Sequence, residues 1–262
     1  MIALERRNGR PLWIGHRGAA AVAPENTLES FRAAAEAGVD LIEFDVLELR
    51  TGDLVLAHSN DLGEVSHGRA GGTVRDKPLA VLREVAPDLP TLDDALVFFR
   101  EEAPEIGAHV DLKSAEAAEK VLAALRRSAL VDRALVSSFH LGALRSLVGL
   151  DPGLRTGASF PRDPLRVSER RGSGPAVGLA LRAARVTAPL TARLLLARSR
   201  ASALVLHHAV VSRNVVQLAH GRGVPVVAWT IDDPLDAARV DEAGVDALVV
   251  NNPAKFVSTL EP

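Results

Sequence analysis

Two carboxylates, Glu43 and Asp45, stand two residues apart in the run LIEFDVLEL, and the same spacing recurs at Asp111 and Lys113 in AHVDLKS. If each run is a strand, a side-chain period of two puts Glu43 and Asp45 on one face and Ile42, Phe44 and Val46 on the other. Like charges enclosed on one face are costly, and a divalent cation is the usual compensation. The plainer alternative for an isolated pair is one carboxylate bound to an arginine and the other left to water. Lys113 also admits two roles, because an ammonium group is rarely buried unless it is paired or works on an anion. It would either form an ion pair with Asp111 or Glu43 or sit beside a phosphate. His16 and His58 each follow a strand-like run, and imidazole, with a pKa near neutrality, suits proton transfer. His109 precedes Asp111 by two and would share its face. His220 falls at a helix end, where the helix dipole accounts for it. His67, His140, His207 and His208 have weaker claims.

The frame that positions these residues is bounded by length and composition. A chain of 262 residues, 47% hydrophobic, suits one domain with one large core, and an α/β barrel commonly takes about 250 residues. A domain spanning 1–262 is the expectation. A net charge of -2, from 31 basic and 33 acidic residues, offers no global positive field for nucleic acid or an anionic membrane. Cysteine is absent, which removes disulfides and thiolate metal sites and leaves carboxylates and imidazoles as ligands. No apolar window of about 18 residues occurs and no apolar run follows the N-terminal charges, so a soluble, cytoplasmic protein without stable membrane insertion is expected.

Short β-like runs alternate with Ala/Leu-rich helical stretches, the pattern of a parallel sheet covered by helices. Strands are expected at 12–14, 41–49, the run ending in VDLKS, 134–139, 155–160, ALVLHH, PVVAWTID and ALVVNNP, with helices between them. The helix over 26–37 stops at Gly38, and TLDDALVFFREE begins on a Thr cap. Residues 54–58 and the Gly-rich 68–72 form a small insertion after the second strand. Two helical patterns, 179–184 and 191–198, follow an irregular Pro- and Arg-rich stretch at 161–175. Eight βα units point to a closed TIM (β/α)8 barrel. An open doubly wound sheet usually carries a glycine-rich phosphate turn after its first strand, which GHRGAAA does not match. In such a barrel chemistry sits at the C-terminal strand ends. His16, Arg17, Glu43, Asp45, Asp111, Lys113, Trp229, Thr230, Asn251 and Asn252 all pass that filter.

The string from Ile14 to Leu62, with HRG, PENT, a Phe-containing helix, a Gly-x-Asp turn, the ExDV strand and a second histidine in order, resembles the N-terminal signature of glycerophosphodiester phosphodiesterases. Weaker matches continue at VDLK, at SSF (137–139) and at GVPVVAWTID followed by AGVDALVVNNP, so the resemblance spans nearly the whole chain. It implies a TIM barrel that hydrolyses glycerophosphodiesters to glycerol 3-phosphate and an alcohol with a divalent cation, commonly Mg2+ or Ca2+, in glycerol and lipid metabolism.

Carried over by motif, His16 and His58 are the acid/base pair and Arg17 holds the phosphate. Glu43, Asp45 and Asp111 bind the metal, and Lys113 lies near the phosphate. Glu25, on the loop after strand 1, either supports the substrate site or is a helix-start carboxylate, and Asn26 caps the helix. Trp229 would pack against the glycerol or alcohol group, or simply fill the core, and Phe31 is core with Leu28 and Ala35. Three positions depart from the family pattern. Asp111 stands where Glu is usual, one methylene shorter, which would shift the metal or admit a water. Ser59 stands where Asp is favoured, leaving His58 without its usual neighbour. Asn251 and Asn252 replace a frequent Thr-Asp pair.

Two alternatives differ in class. A phospholipase D-like activity on lysophospholipids or sphingomyelin would need an apolar rim, which 179–196 could supply. A phosphate-ligand binder without turnover would keep the scaffold and lose the chemistry.

Overall fold

The computed structural model describes residues 1–161 and 175–257, with 175–182 described by backbone alone. Its strands are β1 (Leu12–Gly15), β2 (Leu41–Glu48), β3 (Leu54–Leu56), β4 (Gly107–Leu112), β5 (Ala134–Ser138), β6 (Arg155–Phe160), β7 (Ala203–His207), β8 (Val226–Ile231) and β9 (Ala247–Val250). All but β3 are parallel, each pairs with its neighbours in turn, and β1 pairs with both β2 and β9, which closes an eight-stranded barrel. This is the single-domain TIM barrel expected from the alternating pattern.

Around the barrel lie α1 (Leu28–Glu36), α2 (Leu62–Val65), α3 (Leu79–Val85), α4 (Leu92–Glu101), α5 (Ala118–Arg127), α6 (Leu141–Leu150), α7 (Pro175–Ser199), α8 (Arg213–His220), α9 (Pro234–Glu242) and α10 (Pro253–Val257). Strand alternation sorts the apolar residues into two shells. Leu12, Ile14, Leu41, Leu135, Val205, Val227 and Val249 fill the barrel interior, with Leu4 buried against them. Ile42, Phe44 and Val46 face outward against the helices, where Phe31, Phe44, Phe98 and Phe99 pack with ring centroids 5.4 to 5.9 Å apart. Phe31 is therefore core, as its position on α1 predicts.

The insertion after β2 is a β-hairpin with two short helices. β3 runs antiparallel to the C-terminal half of β2, with Val46 opposite Leu56, and Leu47, Val55, Leu62, Val74, Leu82 and Leu89 give the insertion its own small core. Thr91 caps α4 with a reciprocal box through Asp94, as expected.

Two local expectations change. α1 begins at Leu28 with Thr27, not Asn26, as its cap, because Asn26 lies in the left-handed region (φ 58°) and its side chain is engaged elsewhere. The two helical patterns between 179 and 198 are one helix, α7, continuous through Pro189. Most of the irregular stretch before it, 162–174, lies outside the described residues.

Candidate active site

The sequence GHRG forms the turn that leaves β1. A Cβ on Gly18 would lie 2.3 Å from Ser30 Oγ, and its φ of +85° is one that L side chains rarely adopt; a Cβ on Gly15 would lie 2.4 Å from the Gly18 carbonyl. Only glycine fits this close packing of turn on helix. Arg17 between them is also left-handed (φ 49°). The turn thereby points the Arg17 N–H at Glu43 Oε2 (2.9 Å), while Asn26 N–H and Ser30 Oγ–H both donate to the Arg17 carbonyl.

Strand register then assembles the acidic cluster. Asp45 lies beside Asp111, and Asp111 beside Ser137, on adjacent parallel strands. Glu43, Asp45 and Asp111 are all buried and offer oxygens within 4.8 Å of one another. Lys113 Nζ bridges Asp45 Oδ1 (2.6 Å) and Asp111 Oδ2 (2.7 Å). Of the two ion pairs anticipated for Lys113, the one with Asp111 forms, and the second partner is Asp45 rather than Glu43. Asn26 clasps the same carboxylate, its Nδ2 donating to Asp45 Oδ2 (2.9 Å) while the Asp45 N–H donates back to its Oδ1 (3.0 Å).

The charges do not balance among themselves. Burial pushes the Asp45 carboxyl up, but Lys113 and Arg17 more than offset this and hold it well below the ordinary range. Glu43 goes the other way: burial, then Asp45 and Asp111, raise it well above the ordinary range against the pull of Lys113 and Arg17. Burial disfavours the ammonium of Lys113, yet Asp111, Asp45 and Glu43 raise its pKa above the usual lysine value. Three carboxylates thus face two cations, with the surplus on Glu43. Enclosed oxygen donors with surplus negative charge fit a hard divalent cation, held by Glu43, Asp45 and Asp111.

His16 lies at the edge of this cluster, its Nε2 3.9 Å from Glu43 Oε2. Its Nδ1 is 2.6 Å from Asn251 Oδ1, and Asn251 Nδ2 donates to Asp232 (2.8 Å). The amide is therefore oriented with its oxygen toward the ring, so Nδ1 carries the proton and Nε2 the lone pair. Burial and the neighbouring Arg17 lower the His16 pKa to about 3, against the Asn251 bond and Asp45, which raise it. At neutral pH this ring is a proton acceptor. Glu25 joins the site through Arg17, accepting from NH1 at 2.7 Å, and Arg17 Nε stands 3.2 Å from Asp45 Oδ2.

His58 follows β3 and is near enough to act electrostatically on both His16 and Asp45. Its Nδ1 is 3.9 Å from Glu64 Oε2 on α2, and Ser59 Oγ donates to the same oxygen at 2.7 Å. The carboxylate beside His58 thus comes from Glu64 rather than from the next residue. Trp229 is half-buried across the mouth, edge-on to His207 (5.1 Å) and Phe139 (6.2 Å), with Nε1 donating to the Val205 carbonyl. It lines one cleft with His16, Arg17, Glu25 and Asn251.

Two partners escape the sequence reading, and a third is read without its role. Asn251 passes the strand-end filter and departs from the family pattern, but nothing in the sequence ties it to His16; Glu64 has no signal beyond lying six residues after His58. Ser137 donates to Asp111 Oδ1 (2.7 Å) and so accepts from His109 Nε2 (2.9 Å), a relay that only the register reveals. His109 shares the face of Asp111, as its spacing predicts, but His220 is held by Asp246 (2.8 Å) rather than by a helix dipole alone.

Residues 16–255 match the Glycerophosphoryl diester phosphodiesterase family. The chain is 24% identical over 265 residues to a glycerophosphodiester phosphodiesterase of Caldanaerobacter subterraneus, covering 95% of this chain and 97% of that protein. Over 77 residues it is 42% identical to a probable glycerophosphodiester phosphodiesterase 1 of Mycobacterium tuberculosis, covering 29% of this chain and 27% of that protein. Among solved structures, a phosphodiesterase of Oleispira antarctica in complex with the product sn-glycerol-3-phosphate superposes with a TM-score of 0.72 at 25% identity, covering 96% of this chain and 97% of that one. A barrel with this turn, these paired carboxylates and this length of match makes the chain a member of the glycerophosphoryl diester phosphodiesterase family.

Proposed function

We propose that the protein hydrolyses glycerophosphodiesters to glycerol 3-phosphate and an alcohol with the help of a divalent cation, Mg2+ or Ca2+. The observation that carries this reading is the buried Glu43, Asp45 and Asp111 cluster beside Arg17 and a neutral His16, at the barrel end where such chemistry is done. When bound, the cation would supply charge neutralisation for a phosphodiester monoanion. Arg17 binds and orients the same phosphate oxygens, held in place by Glu25 and Asp45. His16 Nε2 accepts a proton from the attacking oxygen as its bond to phosphorus forms, and His58 gives one to the alcohol oxygen as its P–O bond breaks, with water supplying the oxygen that glycerol 3-phosphate gains. Each positioned group contributes about 10²–10⁴-fold. Lys113 holds Asp45 ionised, bridges it to Asp111 and adds positive charge close to the phosphate. Trp229 offers an apolar wall to the glycerol or alcohol. The domain assigned to this activity spans 1–262, and small-molecule phosphodiesters in the cytoplasm, rather than nucleic acid, are its partners.

The test is a coupled assay for glycerol 3-phosphate release from glycerophosphodiesters with several head groups, run beside an assay for choline release from lysophosphatidylcholine. Turnover abolished by a chelator and lowered at least about a hundredfold in His16→Ala and in His58→Ala is expected. Full activity in both variants refutes the mechanism, and choline release from lysophosphatidylcholine without glycerol 3-phosphate release from the soluble diesters moves the substrate to the lipid class.

A further inference from the structure

Helix α7 carries apolar residues on two faces. The inner face, Ala188, Ala192 and Ser199 with Leu195 and Leu196, packs against the barrel. On the outer face Val186, Leu190 and Leu194 stand at successive i, i+4 positions and are 81%, 62% and 51% exposed. Residues four apart share one side of a helix, so these three form a continuous ridge facing solvent. Exposed hydrophobic residues scattered singly are ordinary; an aligned row is not.

The charge on the helix has one sign. Its sequence, PAVGLALRAARVTAPLTARLLLARS, contains Arg182, Arg185, Arg193 and Arg198 and no acidic residue. Among the described residues Arg185, Arg193, Arg198 and the following Arg200 are exposed and take part in no salt bridge. The chain's net charge of -2 conceals this local patch, because the compensating acids lie on other elements. Thr187 and Thr191 turn their hydroxyls back to the helix carbonyls at 183 and 187.

We infer that the outer face of α7 docks the protein reversibly on a bilayer surface containing anionic lipid, with Val186, Leu190 and Leu194 entering the interface and the arginines meeting the headgroups. Apolar ridge and unpaired basic charge on one helix are the two features that interfacial helices combine. A second copy of the chain is disfavoured by the same charge, since a two-fold contact through α7 would bring two acid-free, arginine-rich helices together. Spanning the bilayer is not involved, and among the described residues no helix is long and apolar enough to do so.

The experiment is flotation of the full chain with phosphatidylcholine vesicles, with and without phosphatidylglycerol. The protein floats with the anionic vesicles at low ionic strength, stays behind with neutral ones, and is released by salt. Leu190→Glu combined with Leu194→Glu, or Arg193→Ala combined with Arg198→Ala, lowers the bound fraction at least about tenfold, since each arginine near an anionic surface contributes about 1 kcal/mol. These exposed substitutions leave the thermal melt and the hydrolysis of a water-soluble substrate unchanged, so failure here is distinct from failure of the catalytic reading. No flotation of the wild type with anionic vesicles overturns the proposal. So does equal flotation of all variants, or a solution dimer that Leu190→Glu dissociates.

Discussion

Glu64 and His58 show how a single side chain can be replaced from a distance. Where the family pattern favours Asp after the second histidine, this chain has Ser59, which donates to Glu64, whose carboxylate lies 3.9 Å from the imidazole. Glu64→Gln should lower kcat roughly tenfold with little change in KM, less than the ~10²–10⁴-fold effect of losing a proton-transfer group itself. Steady-state kinetics checks this; an unchanged kcat removes Glu64 from the site. The relay from His109 through Ser137 to Asp111 would orient that carboxylate for a bound cation. Ser137→Ala should weaken divalent-cation binding about 10–100-fold, read by calorimetric titration of the cation alone. His109 also makes stability depend on pH. Burial lowers its pKa to about 4, although Asp111 and Asp45 pull it up, and the unfolded value is near 6.5. Between these values the unfolded chain binds more protons, so stability rises with pH across the window and falls on acidification. Urea unfolding at pH 7 and pH 4 should differ by roughly 1–3 kcal/mol from this group alone. His109→Asn should flatten the profile in part; His16, shifted the same way, adds to the slope that remains.

At the scale of elements, the loop after β1 does more than end a strand. Asn26 is spent on Asp45 through two hydrogen bonds, so helix capping passes to Thr27, whose hydroxyl accepts from Ser30 N–H. The left-handed backbone at Asn26 suits Asn and Gly, which separates two effects on substitution. Asn26→Gly keeps the backbone and loses the clasp; Asn26→Ala loses both. Both should destabilise by about 1–3 kcal/mol, the alanine variant by more, and both should lower activity, because a buried bond to a carboxylate is lost. Thr91→Ala removes an equally well-formed cap on α4, one whose hydroxyl bonds, among the described residues, only to Asp94. It should cost about 1 kcal/mol in denaturant unfolding and leave turnover unchanged. Sequence periodicity located α1 and α4 well but could not assign Asn26. Asn is a good cap anywhere, and only the approach of β2 shows that its side chain is already engaged.

For the whole molecule, closure of the barrel brings β1, β2, β4 and β9 around one mouth, and folding itself concentrates the negative charge there. A divalent cation that binds this native cluster and not the unfolded chain stabilises the fold by mass action. At a hundredfold excess over its dissociation constant it should contribute about 2.7 kcal/mol. Calorimetric scans with and without the cation should differ by several degrees for the wild type and by little for Asp45→Asn. The sequence by itself determined the barrel, through eight alternating βα periods. It also determined which side chains of the candidate site share a face, because Glu43, Asp45, Asp111 and Lys113 obey a strand period of two and His16 and Arg17 sit in a glycine-bounded turn. Those features are local, and local spacing dictates which face a side chain takes. Which residues meet across strands was decided only by tertiary structure: Lys113 between Asp45 and Asp111, Asn251 under His16, Glu64 beside His58, Ser137 between His109 and Asp111. Register and barrel closure set those contacts, and both arise from the packing of the whole chain rather than from any one segment of it.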